Sequence, residues 1–424
     1  MGLRRRTFFA WHSWIGLTAG LLLFIICWSG SVAVFSHELD WLVDQRLHAP
    51  PSETVAWQAI EEKVTAAKPG WSIVAISAPL HPGFAAEAWV ADPDAVWHRV
   101  WADPATGEVL GTTSYFNIQR FFRSFHMSLF IGGWNIWGIP LGYWLVGLSA
   151  FLLAASLVTS LIFYRRFWRG FFKLERRKGA KIFWSDLHKL TGLWSLWFVA
   201  LIAATGVWYL VEWKVTSEAP IPDPPVAAGT VAETLPLETL LRRARQAYPA
   251  LEIRAVVLEQ MSSGLFEVHG QDGAWLVRDR GARVWLDARD GKVVAIRRAA
   301  EMRPLHRWIE TADPLHFGNF GGLWSKAIWF LFGIGLSGLC LTGAFLQVKR
   351  QQRQGRVGRR APVLAAYAAT LFVLLAVIPF AHEEMLRWGG HGRLPDMPAG
   401  AVAVIALWVA TTLAMLAKWV RAVR

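Results

Sequence analysis

The sequence predicts a polytopic α-helical membrane protein with six transmembrane helices, four of them a duplicated core, and two α+β domains on one side of the bilayer. Three observations lead there. Six stretches are long and apolar enough to cross a bilayer, which takes about 20 mostly apolar residues. The basic residues cluster in alternate connections. Two soluble segments align with each other motif for motif. At 54% hydrophobic residues with 26 Trp, the chain is also more apolar than an ordinary soluble domain.

The helices are expected over 8–37, 135–165, 185–212, 322–348, 361–381 and 399–418. Their apolar centres lie near Trp14–Phe35, Ile139–Phe163, Leu190–Leu210, Ala327–Leu346, Ala361–Phe380 and Ala401–Leu416. The first reads as a retained span, because its long apolar run leads into "FSHELDW" and not into a small-residue cleavage site. Arg4, Arg5 and Arg6, the loop "YRRFWRGFFKLERRKGAKIF", the loop "KRQQRQGRVGRR" and the tail "KWVRAVR" fall on one side. The positive-inside rule makes that side the cytoplasm, with both termini in it. The net charge of +13 is thus a topology signal, and nucleic-acid affinity is not inferred from it.

The segments between spans one and two and between spans three and four face outward. They hold the expected domains, 50–115 and 230–300. "KPGWSI" (68–73) aligns with "YPALEI" (248–253), and "RVWADPATGEVLG" (99–111) with "RVWLDARDGKVVA" (283–295). Each copy opens with a helical pattern, "ETVAWQAIEEKVTAA" or "LPLETLLRRARQA", followed by short alternating runs that read as strands. "ATGE" and "ARDG" supply hairpin turns with Gly at the positive-φ position. Each copy is read as one helix on a small antiparallel sheet. The Pro-rich segment 212–232 reads as a semi-rigid linker.

The spans repeat as well. "WHSWIGL" opens span one and "LHKLTGL" span three, so His12 precedes Gly16, and His188 precedes Gly192, by four residues. Gly30 follows His12, and Gly206 follows His188, by eighteen. "FHMSLFIGGW" precedes span two and "LHFGNFGGLW" span four, which sets His126 and His316 near the outer ends of those spans. If the halves pack about a pseudo-twofold axis, His12 faces His188 and His126 faces His316. Two imidazoles from neighbouring helices can hold a haem iron from opposite sides, which suits electron transfer. The same histidines read equally as polar groups at headgroup depth, and the glycines as ordinary helix packing. His37, His306 and His382 are alternative ligands, and His391 is a candidate substrate contact. Glu383 and Glu384 read as a metal or proton site or as a solvated loop. His48, His81, His98 and His269 fall in the soluble parts, with surface or core roles expected.

Cys27 and Cys340 lie within spans, so no disulfide framework is expected. The absence of CxxCH rules out covalent c-type haem attachment, and no CxxC pair exists for a zinc ribbon. Neither a Ser-His-Asp set, HExxH, a P-loop nor a dinucleotide fingerprint is present.

"WHSWIGLTAGLLLFIICWSG", "DPATGEVL" and "DPLHFGNFGGLW" resemble the PepSY-associated transmembrane family, which includes iron-regulated inner-membrane proteins and siderophore-iron reductases. The likeness covers about 8–347, with spans five and six as an addition. It implies periplasmic PepSY domains, two b-type haems in the bundle, and reduction of ferric siderophores in the periplasm. Carried over by position, the haem-iron ligands are His12, His188, His126 and His316. The electron donor implied is quinol or a separate cytoplasmic flavin reductase. Trp275, Arg278 and Trp285 are candidates to line a cup for the substrate, with strand packing an equal reading of the two tryptophans. Two other classes compete: a membrane-anchored PepSY module that binds or regulates a periplasmic protein without redox chemistry, and a transporter of the iron complex.

Overall fold

The structure is a computed structural model that describes residues 3–175, 179–218, 233–259, 261, 264–354, 360–390 and 392–423. His391 and most of the Pro-rich 212–232 segment lie outside them; the part up to Glu218 continues a helix. Two layers stand on each other, an apolar helix bundle and a single large sheet.

Span one is broken. α1 (Leu3–Thr18) and α2 (Gly20–Ala33) meet at Ala19 with a bend of 66°. Gly16 and Gly20 flank the break and weaken helix propensity there. Gly20 lets α2 press on a neighbouring backbone, since a Cβ would lie 3.3 Å from the Cys340 carbonyl. Span three divides at Ser195 into α7 (Ala180–Trp194) and α8 (Leu196–Glu218). Ser195 is the counterpart of Ala19 when His188 is set on His12. Spans two and four are α6 (Leu141–Phe163) and α11 (Gly322–Arg353). α2 packs along α11 as α8 packs along α6, and α1 meets α6 as α7 meets α11. These contacts come in matched pairs, and the four spans are related by an approximate pseudo-twofold axis. α12 (Arg360–Gly389) and α13 (Ala399–Val423) join the outside of this bundle, against α1, α2 and α11. Counting the bent pair once gives, among the described residues, six helical segments long and apolar enough to cross a membrane. Their outer faces leave side chains such as Phe372 and Leu413 uncovered, as a lipid-facing surface requires. Trp134, Trp137 and Trp324 stand exposed at the sheet-side ends of spans two and four, where amphipathic rings settle at a bilayer boundary.

The first outer domain holds α3 (Ser36–Val43), α4 (Trp57–Ala67) and strands β1 (Ser72–Ser77), β2 (Ala86–Ala91), β3 (Trp97–Ala102) and β4 (Val109–Ser114). The second holds α9 (Leu237–Ala247) and β7 (Glu252–Val257), β8 (Leu265–Gln271), β9 (Ala282–Asp287) and β10 (Val293–Arg297); β5 (Asn135–Ile136) and β6 (Ile139–Pro140) form a small hairpin before α6. The turn glycines sit as the motifs require, Gly107 at φ 73° and Gly291 at φ 72°. The two sheets are not separate. β1 pairs antiparallel with β7, giving one eight-stranded sheet in the order β10-β9-β8-β7-β1-β2-β3-β4. Ile76 faces Val256 across this seam. The two are equivalent in the repeat, as the alignment of Ile73 with Ile253 requires. The pseudo-twofold axis thus runs through the seam and closes two edges that would otherwise stay open.

α4 and α9 lie on one face of the sheet and share a core. Ile60, Val64, Leu240, Leu241, Val100 and Val284 are fully buried in it. Each such side chain contributes about 1.5–3 kcal/mol by burial. The other face carries Glu87, Trp89 and Arg99 from one copy, and Glu267, Arg283 and Trp285 from the other, and it looks onto the bundle.

Candidate functional site

Between sheet and bundle lie two short helices, α5 (Ile118–Ser128) and α10 (Pro304–Phe317). They carry His126 and His316, which therefore belong to neither span two nor span four. α5 is fixed at its start by Asp40, whose carboxylate accepts the amides of Ile118 and Gln119 at 2.9 Å each, and by the Asn117 side chain. It stops at Leu129 in the left-handed conformation. α10 starts on Pro304 and stops at Gly318, φ 67°, where a Cβ would strike the Trp329 ring. Both caps leave the histidine in the last turn, pointing back into the bundle.

The structure brings the four histidines together as two facing pairs. The ring centres of His126 and His316 lie 6.1 Å apart, and those of His12 and His188 6.5 Å apart. Two imidazoles holding one metal from opposite sides require about 6 Å, the sum of two bonds of about 2 Å and two ring radii of about 1.1 Å. The spacing fits.

The hydrogen bonds fit as well. His126 Nδ1 lies 2.9 Å from the Ile26 carbonyl, and His12 Nδ1 3.0 Å from the Ser156 carbonyl. A carbonyl only accepts, so in both rings Nδ1 carries the proton. His316 Nδ1 lies 2.8 Å from Thr205 Oγ1, and His188 Nδ1 2.9 Å from Thr342 Oγ1. Each threonine hydroxyl already donates to a carbonyl of its own helix, Leu201 or Gly338, and so accepts from the ring. All four imidazoles are thus held as the Nδ1–H tautomer. Nε2 keeps its lone pair and has no hydrogen bond among the described residues, which is the form in which histidine ligates a metal. The hydroxyls repeat with the copies. Ser29, 3.3 Å from His126, is the counterpart of Thr205 when His12 is set on His188. Ser156 is the counterpart of Thr342 when Gly147 is set on Gly333. None of these positions stands out from motif reading, although their recurrence is visible in the chain.

Space is open beside the outer pair, and small residues flank the inner one. His126 and His316 line a partly open cavity with Gly30, Gly206, Gly333 and apolar side chains such as Leu153 and Phe198. Gly30 gives its place to the His126 ring, 2.6 Å from where a Cβ would stand. At the other pair, a Cβ on Gly16 or Gly192 would meet nothing closer than 3.7 Å. A helix glycine costs about 1 kcal/mol relative to Ala, and close packing does not explain these two. Among the described residues no cluster of three His, Cys, Asp or Glu side chains could hold a metal ion. A bare ion would be short of ligands at either pair, whereas a porphyrin brings its own four equatorial nitrogens.

The remaining candidates lie elsewhere. His37 is exposed on α3; His306 lies 3.8 Å from Glu310; His382 is exposed on α12. Glu384 is no solvated loop residue: it accepts from Ser124 at 2.5 Å and pairs with Arg120 at 3.4 Å. The expected substrate cup does not form from the residues named for it. Trp285 is 2% exposed beneath Arg297, and Arg278 is tied to Asp313 at 2.9 Å, with Glu212 and Glu310 beside it. Only Trp275 is open to solvent, 70% exposed. Beside the outer pair, the Tyr209 ring stands edge-on to His316 at 5.1 Å and donates its hydroxyl to Asp313 at 2.7 Å. Cys27 and Cys340 are free thiols.

The chain is 27% identical over 333 residues to the uncharacterized protein PA4219 of Pseudomonas aeruginosa, covering 69% of this chain and 78% of the relative. It also matches the PepSY-associated TM region family across residues 9–350, which takes in both outer domains and the four spans that carry or contact the histidines. The chain therefore belongs to the PepSY-associated TM region family.

Proposed function

We propose that the protein is a haem-dependent reductase of the inner membrane that delivers electrons to a ferric siderophore in the periplasm and releases Fe(II). One observation carries this reading: two facing imidazole pairs at ligation distance, with all four rings locked as the Nδ1–H tautomer. A b-type haem at each pair would supply a one-electron carrier near each face of the bilayer. The chain's residues do the rest. Thr205, Thr342 and the carbonyls of Ile26 and Ser156 hold the rings in place, and their acceptor oxygens raise the basicity of Nε2. The apolar lining excludes water and lowers the local dielectric, which sets the potential. From His188 the chain climbs to Thr205, beside His316. That is about 25 Å of helix, a distance that calls for two carriers in series. The sheet side is assigned to the periplasm because the arginine clusters lie at the opposite end. Fe(III) is held more tightly than Fe(II) by hard oxygen ligands, so one added electron loosens the metal and leaves the chelator intact. The donor is a quinol or a cytoplasmic flavin reductase.

The test is an optical redox titration of the purified protein and its four His→Ala variants. Two bis-imidazole transitions are expected. His126→Ala and His316→Ala should each abolish one, and His12→Ala and His188→Ala the other. Proteoliposomes with reductant on the donor side only should release Fe(II) from an external ferric chelate. A haem-free wild type that binds a periplasmic protein regardless of these histidines would replace the reductase with a membrane-anchored binding module.

A further inference from the structure

The breaks in spans one and three are equivalent, and the two copies cover them differently. In span one, Leu17 and Leu21 flank the break at Ala19; both are buried and pack on Trp419 and Val420 of α13. Trp419 is itself fixed, donating its indole N–H to the Leu341 carbonyl at 2.8 Å. In span three the counterparts are Leu193 and Trp197, on either side of Ser195. Here the cover comes from the connection between α6 and α7. Gly170 lies so close over Leu193 that a Cβ on it would stand 2.9 Å from the leucine Cδ1. Trp194 donates its indole N–H to the Phe171 carbonyl at 2.8 Å, and the Phe172 ring stands edge-on to it at 5.8 Å.

Folding back against α7 brings an unusual set of side chains to the break. Arg165, Arg166 and Arg169 are exposed, and none makes a hydrogen bond or ion pair among the described residues. The buried acid of α7, Asp186, is already matched by Lys189 at 2.9 Å. Between the arginines stands Trp168, 59% exposed, and beyond them Phe172, 86% exposed. The positive-inside rule accounts for the cations alone. It does not require the connection to tie its backbone to α7, nor to hold two large rings uncovered. Nor does the apolar surface end at the loop. Trp194 and Trp197 are exposed, as are Ala200 and Ala204 further along α8, so the patch runs on into the lipid-facing side of the span. Cations beside exposed aromatic rings, continuous with a lipid-facing surface, match a phospholipid with a negative headgroup. Rings of this kind settle at the headgroup boundary, and guanidiniums pair with phosphate oxygens.

We propose that the connection 164–173, set on the break in span three, is a binding site for an anionic glycerophospholipid of the adjoining leaflet. Arg165, Arg166 and Arg169 take its headgroup, and Trp168 and Phe172 enter its acyl layer. The lipid replaces the cover that α13 gives the other break, and it steadies α7, the helix that carries His188. The site goes beyond the reductase reading and stands without it.

Native mass spectrometry of the full chain, released from micelles holding equal amounts of phosphatidylglycerol and phosphatidylcholine, tests this. Wild type should retain phosphatidylglycerol over phosphatidylcholine by about tenfold or more, with the preference shrinking as salt rises. Changing Arg165, Arg166 and Arg169 together to Gln should remove most of that preference, and changing them to Lys should keep most of it. The same loss of charge at Arg4, Arg5 and Arg6 should leave it standing. Trp168→Ala with Phe172→Ala should weaken retention of both lipids alike. In nanodiscs, amides of 164–173 should exchange more slowly with phosphatidylglycerol than with phosphatidylcholine alone. Equal retention of the two lipids by wild type, or a preference untouched by the triple Gln change, overturns the site. An equal loss on changing Arg4, Arg5 and Arg6 overturns it too, since net charge would then draw the lipid. Displacement by inorganic phosphate would make the ligand a free anion. Protection of 164–173 by an acidic soluble electron carrier, with none from phosphatidylglycerol, would give the surface to a protein; either result overturns the lipid. If the triple Gln variant loses the wild-type thermal transition, Arg169→Gln is read in its place and should lower the preference about threefold.

Discussion

Helices α5 and α10 do the same job in the two copies, yet the turn before each histidine carries opposite charge. α5 has Arg120 and Arg123; α10 has Glu310 and Asp313 at the positions that align with them when His316 is set on His126. The braces differ accordingly. In the second copy the connection between β8 and β9, residues 272–281, folds down onto α10. There Arg278 meets the two acids, and its Nη2 donates to the Ile309 carbonyl at 3.0 Å. The matching connection in the first copy, 92–96, is half as long and does not supply such a residue. Its place is taken by the end of α12. Glu384 pairs with Arg120, Trp388 packs at a tilt against Tyr115 with ring centres 4.5 Å apart, and Gly390 at φ 70° closes on Val96. A duplicated unit thus holds one histidine helix with its own loop and the other with a helix that lies beyond the family match, which ends at residue 350. Spans five and six are part of the support of the outer site, and their acid answers an arginine that stands where the other copy has an acid.

The largest effect follows from how many charges each brace carries. Arg278 is the cation shared by Glu212, Glu310 and Asp313, so Arg278→Ala strands partly buried carboxylates and should cost about 3–5 kcal/mol. Arg120→Ala leaves Glu384 bonded to the Ser124 hydroxyl and should cost about 1–2 kcal/mol. Denaturant unfolding with hydrogen exchange resolved to α10 and α5 measures both. Exchanging the charges, Arg120→Glu with Glu384→Arg, should recover most of the loss of either single change. Equal costs for the two arginines, or no recovery, would break the comparison between loop and helix.

A tie between the copies gives the next effect. Glu38 of α3 holds Lys326 of α11, at 2.5 Å, and His81. Burial raises its pKa, but the hydrogen bond from His81 and the charge and hydrogen bond of Lys326 outweigh this and bring it to about 2, from 4.5. A carboxylate depressed on folding adds stability that is complete above its unfolded pKa and is lost as pH falls through the folded one. The window is therefore about 4.5 down to about 2, and the size about 3 kcal/mol at most. Unfolding midpoints across this range should fall for wild type and flatten for Glu38→Gln. An unchanged slope in that variant would move the acid sensitivity to another group.

Much of this is legible in the chain, and the rest has physical reasons to hide. The paired motifs place His12 with His188 and His126 with His316, because duplication copies residues at fixed spacing. The hydroxyls that hold them recur just as regularly, but Ser29 and Thr205 look like ordinary small polar residues inside apolar helices until a ring is seen against them. The β1–β7 seam is out of reach of the pattern, since pairing between copies depends on the symmetry axis and not on any local signal. α5 and α10 escape a reading by periodicity. At 11 residues α5 is too short to announce itself, and Pro314 interrupts the pattern of α10. Arg278 reads from the sequence as facing substrate because nothing local tells which way a ten-residue connection folds, and here it folds inward onto carboxylates.

The smallest effect separates the two ends of the bundle most cleanly. Gly30 and Gly206 stand against neighbours, with a Cβ falling 2.6 Å from the His126 ring and 2.8 Å from the Ala150 Cβ. At Gly16 and Gly192 a Cβ would meet only ordinary van der Waals contact, at 3.9 Å and 3.7 Å. In protein prepared without haem, Gly16→Ala and Gly192→Ala should stabilise by about 0.5–1 kcal/mol, the ordinary gain in helix propensity. Gly30→Ala should destabilise by pushing the His126 ring aside. With haem supplied, the sign at the far end should reverse: if a macrocycle fills the space beside His12 and His188, the added methyls compete with it, and the matching redox transition should weaken. Paired thermal melts of haem-free and haem-loaded Gly16→Ala measure this directly. A stabilisation of equal size in both preparations would mean that the glycines reserve no room, and would leave the far-side pair with two well-oriented imidazoles and nothing between them.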